Sequence, residues 1–364
     1  MKKRHFEVAV IWFLIGFLFL ALSPKSDGLF SSAQAARDYL VVQTWGGTID
    51  QAQRKGFFEP FTKETGIKVV TVEGGQVGGK LSAMIRNNNI EWDIITGSYE
   101  PAMADYYKMG LLEEIDYNIV KNTQDLIPGA IKKWGVADHI EAVVLVYNTR
   151  VFPEGKGPQS WKDFFNVDKF PGPRAMNDWG TPAANLALAL MSEGVTPDQF
   201  FPLDFERAFG IMDRIKPSVK VWYKSGNQLV QALLDEEVVI AESTDGRAKT
   251  AKAKGAPIAI VWNQGLYNLT WNCVVKNSPL KDAAMRLIDF CNRPEQQAIF
   301  TEVVGYSTTN KNALQYLPPA IQKEQATHPD NLSRMINLME LKNAAWRIET
   351  RADNQEKWNL WLAH

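Results

Sequence analysis

Apolar positions along this chain come in short runs, separated by amphipathic stretches and glycine stops. Tyr39–Thr44 (YLVVQT) predicts a strand closed by Gly46-Gly47. Residues 54–65 then carry Phe57, Phe58 and Phe61 at helical spacing, with Gly66 as the stop. Residues 68–72 predict a second strand, and residues 80–86 place Leu81, Met84 and Ile85 on one helical face. Residues 92–96 (WDIIT) predict a third strand, and residues 101–109 a helix with Pro101 at its start and Gly110 past its end. Strand and helix in strict alternation argue for an α/β fold, a mostly parallel sheet with helices on both faces.

A longer apolar strand at 142–147 precedes a Pro/Gly-rich stretch from Phe152 to Pro158, and that shift marks a boundary. A second series follows. Strands at 174–176, 219–222, 238–241 and 258–261 are interleaved with helices at 183–191, 205–215, 228–234 and 247–254. Residues 267–275 are extended again, and helices at 281–291 and 294–303 come next. Two such lobes leave a crevice, walled by the loops at the carboxyl ends of their strands. Those loops (45–48, 74–79, 97–100, 177–182, 223–227 and 242–247) are rich in Gly, Trp, Ser, Thr and Asn. Small residues admit a ligand to the backbone, aromatics wall it, and a few polar groups orient it.

The amino terminus breaks this pattern. Met1-Lys-Lys-Arg-His5 is basic, and Val8 to Leu22 is fifteen residues without a charge. That is short of the about 20 needed to span a bilayer and within the 7–15 or so of a signal core. Ala33-Gln34-Ala35 is a small-residue cleavage site, so the expectation is export to the periplasm with cleavage after Ala35; the alternative is an uncleaved anchor. Cleavage removes four positive and two negative side chains from a net charge of −1, leaving 329 residues (364 − 35) at −3.

Composition narrows the chemistry. With 40 Lys+Arg against 41 Asp+Glu there is no basic excess for nucleic acid. Two cysteines, Cys273 and Cys291, exclude a disulfide-dense scaffold; outside the cytoplasm they could pair, which their spacing does not decide. Four histidines leave little for a metal centre, and none is expected. Gly74-Gly-Gln-Val-Gly-Gly79-Lys80 matches a phosphate loop, but Leu81 stands where Ser or Thr would hold magnesium, so the stretch reads as a flexible strand-to-helix loop. Tyr106-Tyr107 lie within a predicted helix, about 100° apart, and read as helix packing rather than an iron site. No G-x-S-x-G or H-E-x-x-H occurs, and no cofactor is implied. His139 near the domain crossing reads as a packed histidine. The acids Asp178, Glu242 and Asp245 stay open to three uses: a glycosidase pair, an ammonium site, or helix capping.

Five segments in order carry a resemblance. Trp45-Gly-Gly, Phe57-Phe-Glu-Pro-Phe-Thr-Lys-Glu-Thr-Gly-Ile-Lys-Val69, Trp92-Asp-Ile-Ile-Thr-Gly-Ser98, Met109-Gly-Leu-Leu-Glu-Glu-Ile-Asp116 and Gly305-Tyr-Ser-Thr-Thr-Asn310 resemble the periplasmic polyamine-type (spermidine/putrescine) solute-binding proteins of ABC importers. The resemblance implies a two-lobed type II periplasmic binding protein with the ligand cleft between lobes, not an enzyme. Crossings are expected near 141–148, 267–273 and 306–311. Lobe one is then 38–143 plus 272–308, and lobe two 148–268 plus 311–364. The partners implied are a small amine or zwitterion and the membrane permease subunits; the protein is expected to be a monomer.

Ligand residues carry over position by position. The first lobe supplies Trp45, Gly46, Ser98 and Tyr99. The second supplies Asp178, Trp179, Thr181, Glu242, Asp245 and Arg247, and the crossing supplies Trp271. Trp45, Trp179 and Trp271 would wall the cleft, Asp245 and Glu242 would pair an amine, and Arg247 with Ser98 would hold an anionic end. The family's hinge Trp-x-Asp becomes Leu269-Thr270-Trp271, without the acid, while Arg247 is added. That exchange favours a zwitterion over a dication. The alternative class is an exported hydrolase using Glu242 and Asp178.

Overall fold

The computed structural model describes residues 37–74, 77–97, 100–178 and 182–364. Eleven strands among them form one sheet. In chain order these are β1 (Tyr39–Thr44), β2 (Lys68–Glu73), β3 (Ile94–Gly97), β4 (Ile131–Lys132), β5 (Gly135–Asn148), β6 (Arg174–Asn177), β7 (Val219–Tyr223), β8 (Ile240–Thr244), β9 (Ile258–Val274), β10 (Ser307–Thr308) and β11 (Ile336–Asn337).

The strand order is β2-β1-β3-β9-β5-β8-β6-β7. β1 is parallel to β2 and β3, and β6 is parallel to β7 and β8. Between these two parallel triplets run β5 and β9, antiparallel to each other and to the strands they flank. The amino-terminal half of β5 and the carboxyl-terminal half of β9 therefore belong with the first triplet, and the other halves with the second. β10 adds to this middle, pairing Ser307 with Ile140 and Thr308 with His139.

β5 and β9 depart from the expected lengths. The apolar run at 142–147 is the second half of a strand that starts at Gly135. Its first half carries Asp138 and His139, which look like loop residues but are buried; Asp138 takes His139 Nδ1 at 2.6 Å and Asn272 Nδ2 at 2.9 Å. The two separate strands expected at 258–261 and 267–275 are one strand, whose ladder with β5 shifts register once between Ala137 and His139 and again at a wide bulge. Val143 pairs with Leu266 but Leu145 with Val261, so residues 262–265 have no counterparts. Gln264 sits at φ 62 in this bulge, and a Cβ on Gly265 would come 3.3 Å from the Val143 carbonyl oxygen. The bulge is fastened to the second half of the molecule: Trp161 Nε1 donates to the Gln264 carbonyl at 2.9 Å.

The first long helix also starts earlier than its phenylalanines suggest. It covers residues 47–65, with Arg54–Phe58 in π geometry, and ends at Gly66 with φ 76. Gly47, read as a stop, begins it, and Thr48 stands in its first turn. Phe57 stacks on Phe300 at 5.2 Å and Phe61 meets Phe290 edge-on at 5.6 Å, in an apolar cluster that reaches Ile95 and Trp271. A second cluster holds Trp161, Phe164, Leu186, Phe200, Ile211 and Trp358. Each such side chain, fully buried, contributes about 1.5–3 kcal/mol. Trp358 comes from the last helix, Arg351–Ala363, which ties the carboxyl terminus to the second cluster. Cys273 and Cys291 are both free and buried, and burial pushes both thiols far up. Among the described residues no helix is long and apolar enough to cross a membrane; the candidate signal segment, residues 1–35, lies outside them.

Candidate functional site

The expected site residues separate into those held by the protein itself and those left open. Glu242, in β8, is 1 % exposed and accepts the Asn177 N–H at 2.9 Å and the Asn177 side-chain amide. Burial pushes its carboxyl up to about 7, against the opposing pull of those two bonds. Glu242 thus stitches β8 to β6, its carboxylate taken up by Asn177.

Asp245 is likewise occupied. It is the first residue of helix Asp245–Ala253, two positions before the expected start, and is 0 % exposed. It accepts the Ala142 N–H at 3.1 Å, Lys249 Nζ at 2.9 Å and Ser307 Oγ at 3.2 Å. Lys249 continues to the Gly305 carbonyl at 2.8 Å and to Gln325 at 3.3 Å. This buried ion pair rivets β5, the helix and the turn before β10 together, and Asp245 is not available to a ligand amine. Its carboxylate on the first helical turn also suits the helix dipole. Asp178, at the end of β6, takes Trp358 Nε1 at 2.9 Å and faces Lys224 at 3.6 Å. Trp271 is corrected from cleft wall to core: it is 0 % exposed, with its ring 4.7 Å from that of Trp134.

Trp45 and Gly46 follow β1 at its carboxyl end. Trp45 is exposed, and Gly46 has φ 71 with the Glu73 carboxyl 2.4 Å from where a Cβ would stand, so a larger residue there would be strained and would displace the Glu73 side chain. Ser98, Tyr99, Trp179 and Thr181 lie outside the described residues.

Arg247 is the expected charged residue that remains open among the described residues. It is partly exposed and lines a recess of about 230 Å³ together with Thr48, Asn227, Thr250 and Tyr306. Thr48 and Tyr306 come from elements beside the first triplet or the crossing, whereas Asn227 and Thr250 come from helices of the second series. The arginine lies across Gly226, where a Cβ would meet its Nε at 2.2 Å. Among the described residues no hydrogen bond or ion pair holds the guanidinium. An open, forked cation in a small recess is suited to a carboxylate.

Two residues beside it were not expected. Tyr306 packs its ring against Gly246 and stacks over His139 at 5.8 Å. Its hydroxyl donates to Glu141 Oε1 at 3.4 Å. Glu141, like Val143 two residues on, is only partly buried in the mostly buried β5. Burial raises its pKa; Asp245 adds to that, while His139, the Tyr306 bond and Arg247 oppose it. The signal was present in the sequence: a lone carboxylate at the mouth of an apolar crossing strand, and a tyrosine in the Gly305-Tyr306 turn. Among the described residues no group of three His, Cys, Asp or Glu side chains is placed to hold a metal ion.

Comparisons with known proteins agree with this architecture. A family model described as bacterial extracellular solute-binding protein matches residues 56–329. The gamma-aminobutyric acid-binding protein of Pseudomonas aeruginosa is 30 % identical over 353 residues, covering 95 % of this chain and 97 % of the relative. The spermidine/putrescine-binding periplasmic protein of Escherichia coli is 25 % identical over 314 residues, covering 82 % and 84 %. A solved structure described as a GABA receptor superposes with a TM-score of 0.77 at 29 % identity, covering 89 % of this chain and 97 % of that one.

Proposed function

This chain belongs to the bacterial extracellular solute-binding proteins, and from that premise we propose that it captures a short zwitterion, a carboxylate and an amine on one small chain, for an ABC importer. It is a two-lobed binding protein of the polyamine type, working in the periplasm, and not an enzyme. The hydrolase alternative loses its carboxylates as well, since Glu242 and Asp178 are engaged by Asn177 and Trp358. The export signal is assigned to residues 1–35, with cleavage after Ala35. Lobe one is assigned to 38–143 plus 272–308 and lobe two to 148–268 plus 311–364.

The observation that carries the ligand reading is Arg247. A cation held open over Gly226 repels a polyamine and receives a carboxylate. The recess, about 230 Å³, falls below the about 300–1,000 Å³ of sites for drug-sized ligands and suits a small solute. The relative with gamma-aminobutyric acid in its name supports the same class. Ser98 remains a proposed second donor to the carboxylate, and Trp45, Tyr99, Trp179 and Thr181 proposed walls of the cleft.

Calorimetric titration of wild type and Arg247→Ala with 4-aminobutyrate and with putrescine tests this. The variant should lose about 2–5 kcal/mol toward the amino acid, because it leaves a desolvated carboxylate unpaired. Arg247→Lys should recover part of the loss, lacking the planar fork. Putrescine should bind the wild type weakly. Tight putrescine binding by the wild type, or a change below about 0.5 kcal/mol in Arg247→Ala, would return the protein to the polyamine class.

A further inference from the structure

A zwitterion needs an acceptor for its ammonium, and the acids closest to Arg247 in sequence are already spent. Asp245 holds Lys249, Ser307 and a backbone N–H, and Glu242 holds Asn177 twice. We infer that Glu141, in the crossing strand β5, is the carboxylate that receives the ammonium of the ligand, with the side-chain oxygen of Asn268 as a second acceptor. This rests on the reading that Arg247 takes the carboxylate end.

Three observations support the role. Glu141 has a single long contact, the Tyr306 hydroxyl at 3.4 Å, and is the partly exposed acid of a buried strand. Tyr306 connects it to the recess, since the same residue lines the cavity beside Arg247. Asn268 is the register partner of Glu141 across β5 and β9, so both side chains stand on one face of the sheet. The side-chain oxygen of Asn268 is buried and, among the described residues, has no hydrogen-bond partner. A carboxylate with spare acceptor sites beside an unsatisfied carbonyl oxygen is a cradle for an N–H donor.

The charge balance runs the same way. The groups that act on Glu141 are His139 on its own strand, Asp245 and Arg247 on the helix after β8, and Tyr306 on the turn before β10; Glu141 in turn acts on Tyr223 at the end of β7. Burial favours the neutral acid there, and a ligand ammonium favours the carboxylate. Capture of an amine should therefore release a proton at a pH where Glu141 is partly protonated.

The test compares two probes on the full mature chain: 4-aminobutyrate, and pentanoate, which keeps the carboxylate and chain but replaces the ammonium by a methyl. Glu141→Gln should weaken 4-aminobutyrate by about 30-fold or more and leave pentanoate within about 3-fold. Glu141→Asp should restore part of the selectivity. Asn268→Leu should weaken 4-aminobutyrate alone, by about 3- to 10-fold. Titration in buffers of different ionisation enthalpy should show proton release with the wild type and less with Glu141→Gln. A loss shared equally by both probes would assign Glu141 a structural role and overturn the inference, as would unchanged 4-aminobutyrate binding. A wild type that binds neither probe overturns the amino-acid reading and the role of Glu141 with it. A wild type that binds 4-aminobutyrate as tightly as Glu141→Gln does overturns the role alone.

Discussion

Glu242 makes a stability argument independent of any ligand. It is 1 % exposed, with two Asn177 donors and a carboxyl raised from 4.5 to about 7. Between those values the folded protein keeps a proton that the unfolded chain has released. Folded-state proton binding then exceeds unfolded-state binding, so stability falls as pH rises through the window. The size is about 3 kcal/mol, from 2.5 or so pH units at about 1.4 kcal/mol each. Glu141 is shifted in the same direction and adds to the slope. The paired carboxylates Asp50, Glu113 and Asp163 are lowered instead: burial pushes each up, but the sum of its hydrogen bonds and neighbouring cations outweighs that, and their contributions are lost only below the ordinary carboxylate range. Thermal melts of the unliganded protein from pH 5 to 8 should therefore show a falling midpoint in wild type and a flatter line in Glu242→Gln. A wild-type midpoint that rises over that interval contradicts the assignment.

At the scale of elements, helix Gly226–Leu234 shows how a backbone position sets a binding side chain. Ser225 caps it through its Oγ to the Gln228 N–H at 3.3 Å. Gly226 needs no unusual dihedral, so its lack of a side chain serves Arg247, whose Nε lies 2.2 Å from a would-be Cβ. Gly226→Ala should leave the melting temperature level or slightly higher, since alanine gains up to about 1 kcal/mol of helix propensity. It should nonetheless cost about 10-fold in 4-aminobutyrate affinity by displacing the guanidinium. Unchanged affinity would mean that Arg247 works from another position. Helices such as Phe205–Ile215 and Lys281–Cys291 were legible to the residue because apolar period and flanking stops coincide. The first half of β5 was not, because Asp138, His139 and Glu141 break its apolar run and find their partners in distant segments. The same reason hid the fate of the nominated acids: Asn177 lies 65 residues from Glu242, and Ala142 lies 103 from Asp245. Arg247 was legible because an unpaired residue needs no distant partner to explain it.

The whole molecule turns on the middle of its sheet. β5 and β9 run through both halves, and their ladder is interrupted opposite Val143–Leu145 by the bulge at 262–265. Bending should concentrate there, at the wider of the two register shifts in this ladder, while Asp245–Lys249 keeps the neighbouring helix and turn moving as one piece. The recess takes Thr48 from the first helix and Asn227, Arg247 and Thr250 from helices of the second series, with Tyr306 on the turn that Lys249 ties to the Arg247 helix. A ligand that spans it gains contacts on closing, and that differential affinity shifts the population toward the closed form. Small-angle scattering should then give a smaller radius of gyration with saturating 4-aminobutyrate than without, and Arg247→Ala at the same concentration should stay near the unliganded value. Stability should rise by about 2.7 kcal/mol at a hundredfold excess over the dissociation constant, whatever the shape change, because that term depends on occupancy alone. The two readouts separate binding from closure: stabilisation together with compaction supports a clamp hinged at the bulge, whereas stabilisation with an unchanged scattering profile means that the ligand enters an arrangement already closed, and the hinge argument fails.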